Sequence, residues 1–173
     1  MKERSRQHHK NPTAKKGERR PRKTTPGPTR RLLLIDIENY CGKGNLQPAD
    51  VRIARTEICR DLELGGGDLV VIGTSHSNNC FVCGTEWEGP RQVLRRGHDG
   101  ADVALIDAFG EYRLDTFSSL VIVSGDGIFA DIASCARNKE KAVTIVSRIE
   151  GLSGKLRETT NDVIPCVHVR PAA

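Results

Sequence analysis

Aromatic residues make up only 4% of the sequence: one Trp, two Tyr and four Phe. That leaves little for a base-stacking platform, which would have to come from Tyr40, Phe81, Trp87 or Tyr112. No apolar run approaches the roughly 20 residues of a membrane helix. The charged N-terminus has no apolar core of the kind a secretory signal needs. A soluble, cytoplasmic protein with no membrane partner is expected. The six cysteines, Cys41, Cys59, Cys80, Cys83, Cys135 and Cys166, are scattered. Without an export signal they predict small buried side chains rather than a disulfide framework. Several catalytic signatures are missing as well. Gly65–Gly67 is not followed by the Lys-Ser/Thr of a phosphate loop, and no Gly-x-Ser-x-Gly elbow occurs. The Asp36-Ile37-Glu38 stretch lacks the Asp-x-Asp-x-Thr form of an aspartyl-phosphate phosphatase.

What is present divides into two parts. The 173 residues suit one domain and a tail, with enough chain for a real core. Residues 1–31 carry 12 Lys+Arg against 2 Asp+Glu, which leaves 15 against 20 in the remainder of a chain whose net charge is +5. Residues 1–30 are Lys, Arg, Pro, Thr and Gly with almost no large apolar side chain, so a disordered basic arm is expected. Its natural partner is a polyanion, held through salt-sensitive, sequence-independent phosphate contacts. Residues 31–170 are expected to form the folded domain.

Within that domain, Leu32–Asp36 is an unbroken apolar run ending in an acid, as in a strand buried on both faces of a parallel sheet. A loop over Cys41–Asn45 follows. Pro48–Leu64 reads as a helix, with Pro48 suited to its first turn and Val51, Ala54, Ile58 and Leu62 on one face. Asp68–Gly73 is a second strand, and residues 74–90 give no clear period. Further strands are expected at 91–95, 120–123, 142–146 and 163–167, with helices at 99–112, 128–137 and 152–160. Alternating strands and helices predict an α/β fold: a three-layer α/β/α sandwich, Rossmann-like, around a mainly parallel sheet.

In such a sheet ligands bind outside the carboxyl ends of the strands. Asp36 closes one strand, Asp126 follows another, and Asp102 falls in the first turn of a helix that starts on the same edge. Asp99 sits near that edge too. Asp107 is about 140° around the helix from Asp102. Carboxylates gathered without matching Lys or Arg repel one another unless a cation binds, and hard oxygen ligands suit Mg²⁺ or Mn²⁺. Taken singly, each Asp also suits a helix cap or complements a helix dipole.

Three segments together resemble a known family. Leu32–Tyr40, LLLIDIENY, resembles the opening of the NYN domain family of the PIN-like nuclease superfamily, whose first strand ends Asp-x-x-Asn; Asp36 and Asn39 match. GADVALIDAF resembles the family's central helix and supplies Asp102 and Asp107. LVIVSGDGIFADI resembles its Ser-Gly-Asp-x-Asp-Phe segment, through Ser124, Gly125, Asp126 and Phe129. The order covers residues 31–147. The resemblance implies a PIN-like sandwich and a metal-dependent ribonuclease. Asp36, Asp102 and Asp126 would be its catalytic residues and the ligands of Mg²⁺ or Mn²⁺. Asn39 and Ser124 would orient the metal or the phosphate, and RNA, single-stranded or structured, would be the substrate. Two positions depart from the pattern. Ile128 stands where the family has its second Asp, and Asp99 where it has a Lys. The loss of a ligand at Ile128 keeps open an alternative, a PIN-like domain that binds RNA or protein without turnover. An acidic regulatory domain resembling a phospho-receiver is a third reading, but Arg148 rather than a Lys follows the late strand.

His76, Cys80 and Cys83 are zinc-type ligands, yet one Cys-x-x-Cys without a second pair reads as buried or loop residues. His76 follows the second strand on the proposed active edge, where it can contact substrate. Arg91, Arg95 and Arg96 form a basic patch that suits either an RNA backbone or a solvated surface. Self-association into a homo-oligomer is left open by the sequence.

Overall fold

The computed structural model describes residues 29–166. The expected basic arm therefore lies almost wholly outside the described residues, as do Val167 and the rest of the C-terminus. Six strands form one sheet: β1 (Arg31–Asp36), β2 (Leu69–Thr74), β3 (Arg91–Leu94), β4 (Ser119–Val123), β5 (Ala142–Ser147) and β6 (Asp162–Pro165). Every pairing is parallel, so the sheet is parallel throughout rather than mainly so. Its spatial order is β3-β2-β1-β4-β5-β6.

The helices are α1 (Ile37–Cys41), α2 (Pro48–Asp61), α3 (Ser77–Glu86), α4 (Gly100–Gly110), α5 (Ala130–Asn138) and α6 (Gly154–Arg157). Alternation along β1 divides the core in two. Leu32 and Leu34 pack with Leu105, Phe109, Phe129 and Ala133, under α4 and α5. Leu33 and Ile35 pack with Val51, Ala54, Ile58 and Trp87, under α2 and α3. All four β1 residues are fully buried, which is why that strand reads as an unbroken apolar run. The result is a three-layer α/β/α sandwich.

Several boundaries differ from expectation for local reasons. The loop expected after β1 begins with the short helix α1, because the Asp36 side chain accepts the backbone N–H of Asn39 and starts a turn. The unreadable stretch 74–90 contains α3, whose buried side is only Asn79, Val82 and Cys83, too sparse to show a period. The helix expected from Ile128 begins instead as a 3₁₀ turn over Gly127–Phe129, with the α-helix starting at Ala130. The helix expected over 152–160 shortens to four residues, capped by Ser153. Among the described residues no helix is long and apolar enough to cross a membrane.

Candidate functional site: a buried carboxyl pair at the switch point of the sheet

From β1 and β4 the strand order runs outward in opposite directions. Loops therefore part on either side of these two strands and leave a crevice at their carboxyl ends. Asp36 ends β1, and Ser124 to Asp126 follow β4 directly. Asp36 lies opposite Gly73 of β2 in the register. A methyl group on Gly73 would fall 2.5 Å from Leu105 Cγ and 2.8 Å from the Ala101 carbonyl. Gly73 is thus the notch that lets α4 lie directly on the sheet. The first turn of α4, with Asp102, is thereby carried to the end of β1.

The Asp36 and Asp102 carboxyl groups come within hydrogen-bonding reach of each other. Both are buried, Asp36 at 4% exposure and Asp102 at 7%. One Asp36 oxygen accepts the Asn39 N–H at 3.0 Å, and the other accepts the Ser124 hydroxyl at 3.5 Å. Among the described residues no N–H or hydroxyl donates to the buried Asp102 Oδ1. Burial pushes Asp36 well above the ordinary carboxylate range, and the neighbouring Asp102 and Glu38 push it further. Asp102 is raised by burial too, with Asp126 and Asp99 adding to the rise. A carboxyl pair of this kind either shares a proton or takes up a cation.

The remaining expected residues separate. Asn39 and Ser124 are at the site: Asn39 Oδ1 accepts the Gly125 N–H at 3.2 Å, tying α1 to the loop after β4, and Ser124 Oγ accepts the Asp126 N–H at 3.2 Å. Asp126 is near enough to act on Asp102 electrostatically, but its own carboxylate caps the 3₁₀ turn by accepting the Ile128 N–H at 2.9 Å. Of the three acids expected from the sequence, Asp36 and Asp102 form a buried pair, and Asp126, exposed, adds its charge from the β4 side. Among the described residues no three His, Cys, Asp or Glu side chains are gathered closely enough to hold a metal ion by themselves. That applies equally to His76, Cys80 and Cys83. Asp107 does not join the site. The turn of α4 points it outward, where it is exposed and pairs with Arg95 at 3.2 Å. Asp131 is exposed and pairs with Lys155. Ile128 is partly buried and packs against the core, and supplies no oxygen where the resemblance expects a second Asp. Tyr40 is also turned away: it is buried, and its hydroxyl donates to Glu57.

On the β2–β3 side of the pair a cavity of about 490 Å³ opens, lined by Asp36, Glu38, Asn39, Ser75, His76 and the 97–102 segment carrying His98, Asp99 and Asp102; the loop after β4 does not line it. Among the described residues no Lys or Arg lines it. The sequence reading missed Glu38 and Ser75. Their one visible signal was position, two residues past the end of β1 and one past the end of β2.

A hard divalent ion fits this donor set. Two abutting carboxylates, one with an orphaned oxygen, line an acidic cavity to which the described residues bring no Lys or Arg. Mg²⁺ in particular is commonly held by only one or two carboxylates, with waters and substrate phosphates filling the other positions.

No family model matches the chain, and no curated protein matches it in sequence. The chain is similar in fold to the crystal structure of a protein of unknown function from Vibrio parahaemolyticus, with a TM-score of 0.55 and 17% identity over 82% of this chain and 95% of that one.

Proposed function

We propose that the protein is a Mg²⁺- or Mn²⁺-dependent endoribonuclease of the NYN, PIN-like kind, cleaving RNA phosphodiester bonds by attack of water at the carboxyl edge of the sheet. The observation that carries this reading is the buried Asp36–Asp102 pair, with its orphaned Asp102 oxygen, at the switch point of the sheet. Asp36 and Asp102 would hold the ion. Bound there, a divalent cation supplies Lewis-acid chemistry, neutralising phosphate charge and making water a better nucleophile. Asn39 and Ser124 keep the pair in place through the backbone of α1 and the loop after β4. Asp126 adds negative potential on the β4 side. The basic segment 1–30 would bring in RNA by its phosphates, and the free thiols suit a reducing cytoplasm.

A second reading, an RNA- or protein-binding domain without turnover, is favoured by the engagement of Asp126 as a cap and by Ile128. One experiment separates them. A labelled RNA pool is incubated with Mn²⁺, Mg²⁺ or EDTA, with wild type beside Asp36→Asn and Asp126→Asn. Metal-dependent cleavage that disappears in Asp36→Asn supports the nuclease. RNA retained on the protein without cleavage in any metal supports the binding domain.

A further inference from the structure

Beside the carboxyl pair, the same cavity contains a second polar arrangement that the pair does not need. Three donors converge on the Glu38 carboxylate: the Ser75 N–H at 2.9 Å, the Ser75 hydroxyl at 2.5 Å and the Asn79 side-chain amide at 2.6 Å. Asn79 is fully buried, and its other contacts anchor it to the loop before α2, through the Leu46 N–H and the Gly44 carbonyl. Glu38 is therefore fixed from both sides. Ser75 Oγ also lies 2.8 Å from His76 Nδ1.

Counting protons decides the direction of that last bond. A serine hydroxyl has one hydrogen, and here it goes to Glu38, which as a carboxylate only accepts. Ser75 Oγ can then only accept from His76, so His76 Nδ1 carries a hydrogen. The other ring nitrogen, Nε2, takes no part in that bond, and the His76 side chain, largely exposed, lines the cavity together with Asp36 and Asp102. When the ring is protonated, both nitrogens are donors and Glu38 lies 3.8 Å from Nδ1 as its counter-charge. A histidine in a cavity mouth, with its tautomer set by a half-buried serine–carboxylate pair, is built to pass a proton.

We infer that His76 is the general acid of the proposed cleavage, with Ser75 and Glu38 as positioning residues. This rests on the nuclease reading. In the step, the water oxygen forms a new bond to phosphorus. The bond to the leaving ribose oxygen breaks and takes its electron pair to that oxygen. His76 Nε2 supplies the proton which the leaving oxygen takes up, and the proton lost by water returns the imidazole to its starting form through solvent.

The test compares two substrates that differ in their need for an acid. Labelled RNA leaves as an alkoxide that must be protonated, whereas bis(p-nitrophenyl) phosphate leaves as a stable nitrophenolate. His76→Gln keeps a polar side chain but cannot transfer a proton. On RNA it lowers kcat by about 100-fold or more with KM little changed, whereas hydrolysis of the nitrophenyl diester stays near the wild-type rate. Ser75→Ala lowers kcat on RNA less, again leaving KM and the nitrophenyl diester near wild type. Equal loss of both substrates in His76→Gln, or loss of neither, overturns the assignment while the nuclease reading stands. A wild type inert toward both substrates overturns the nuclease reading, and the assignment with it.

Discussion

Replacing Asp102 by Asn removes one charge from the pair without changing its shape. In the wild type, no donor among the described residues reaches the buried Asp102 Oδ1. A buried polar group left in that state costs about 1–3 kcal/mol. The Asp36 carboxyl beside it adds repulsion whenever both are ionised. Two unit charges 4 Å apart repel by about 4 kcal/mol at an effective dielectric of 20. A proton shared at neutral pH removes part of that repulsion. An Asn amide in place of the orphaned oxygen can donate to Asp36 instead. Asp102→Asn should therefore stabilise the metal-free protein by about 1–3 kcal/mol. At about 2–4 °C per kcal/mol for a chain of this size, the Tm rises by several degrees. The pH dependence follows from the raised Asp36 carboxyl. Between its ordinary value near 4 and the raised folded value, the folded protein binds more protons than the unfolded chain. Wild-type stability from this source is present at low pH and is lost as pH rises through that window. The gain in Asp102→Asn therefore grows from pH 5 to pH 8. Thermal melts in EDTA across that range measure it directly. A variant less stable than wild type, or a gain that does not change with pH, would refute the strained-pair argument.

Two further predictions come from the surroundings of the pair. Gly73→Ala places a methyl group against Leu105 and the Ala101 carbonyl and should cost about 1–3 kcal/mol by thermal melting, while Gly66→Ala, where nothing lies within 4 Å, should change little. Because Gly73 seats α4, the same change should weaken Mn²⁺ binding, read by titration calorimetry. Removing residues 1–28 deletes ten Lys+Arg and two Asp+Glu. The Tm should hold and RNA affinity should fall. The dependence of binding on salt should flatten by about 0.7 in log–log slope for each phosphate that the arm no longer neutralises.

Much of this architecture was legible because buried parallel strands are short apolar runs. β1, β2 and β4 announce themselves in LLLI, LVVI and LVIV, and the Gly-rich stretch after α2 marks its end. Helices with a single apolar stripe were legible too, as in Val51, Ala54 and Ile58 of α2. α3 was not, because three buried positions in ten make no stripe, and one of them is the polar Asn79. The site divides in the same way. Asp36 and Asp102 follow from the rule that strands end, and helices begin, on one edge. Asp107 faces solvent as its place about 140° around α4 implies, whereas the bond from the Ile128 N–H to an Asp126 oxygen has no signal in the sequence. The Glu38–Ser75–His76 arrangement joins residues 37 apart through hydrogen bonds, and no pattern in the sequence foretells such contacts.

The central claim is that Asp36 and Asp102 together form a divalent-cation site. Titration calorimetry of Mn²⁺ into wild type and Asp102→Asn, in two buffers of different protonation enthalpy, tests it without any need for activity. The account predicts one Mn²⁺ bound per wild-type chain with release of a proton, since the raised carboxyl must give up its hydrogen to the ion, and no binding in Asp102→Asn. Equal Mn²⁺ binding by both proteins, or binding by neither, would contradict it.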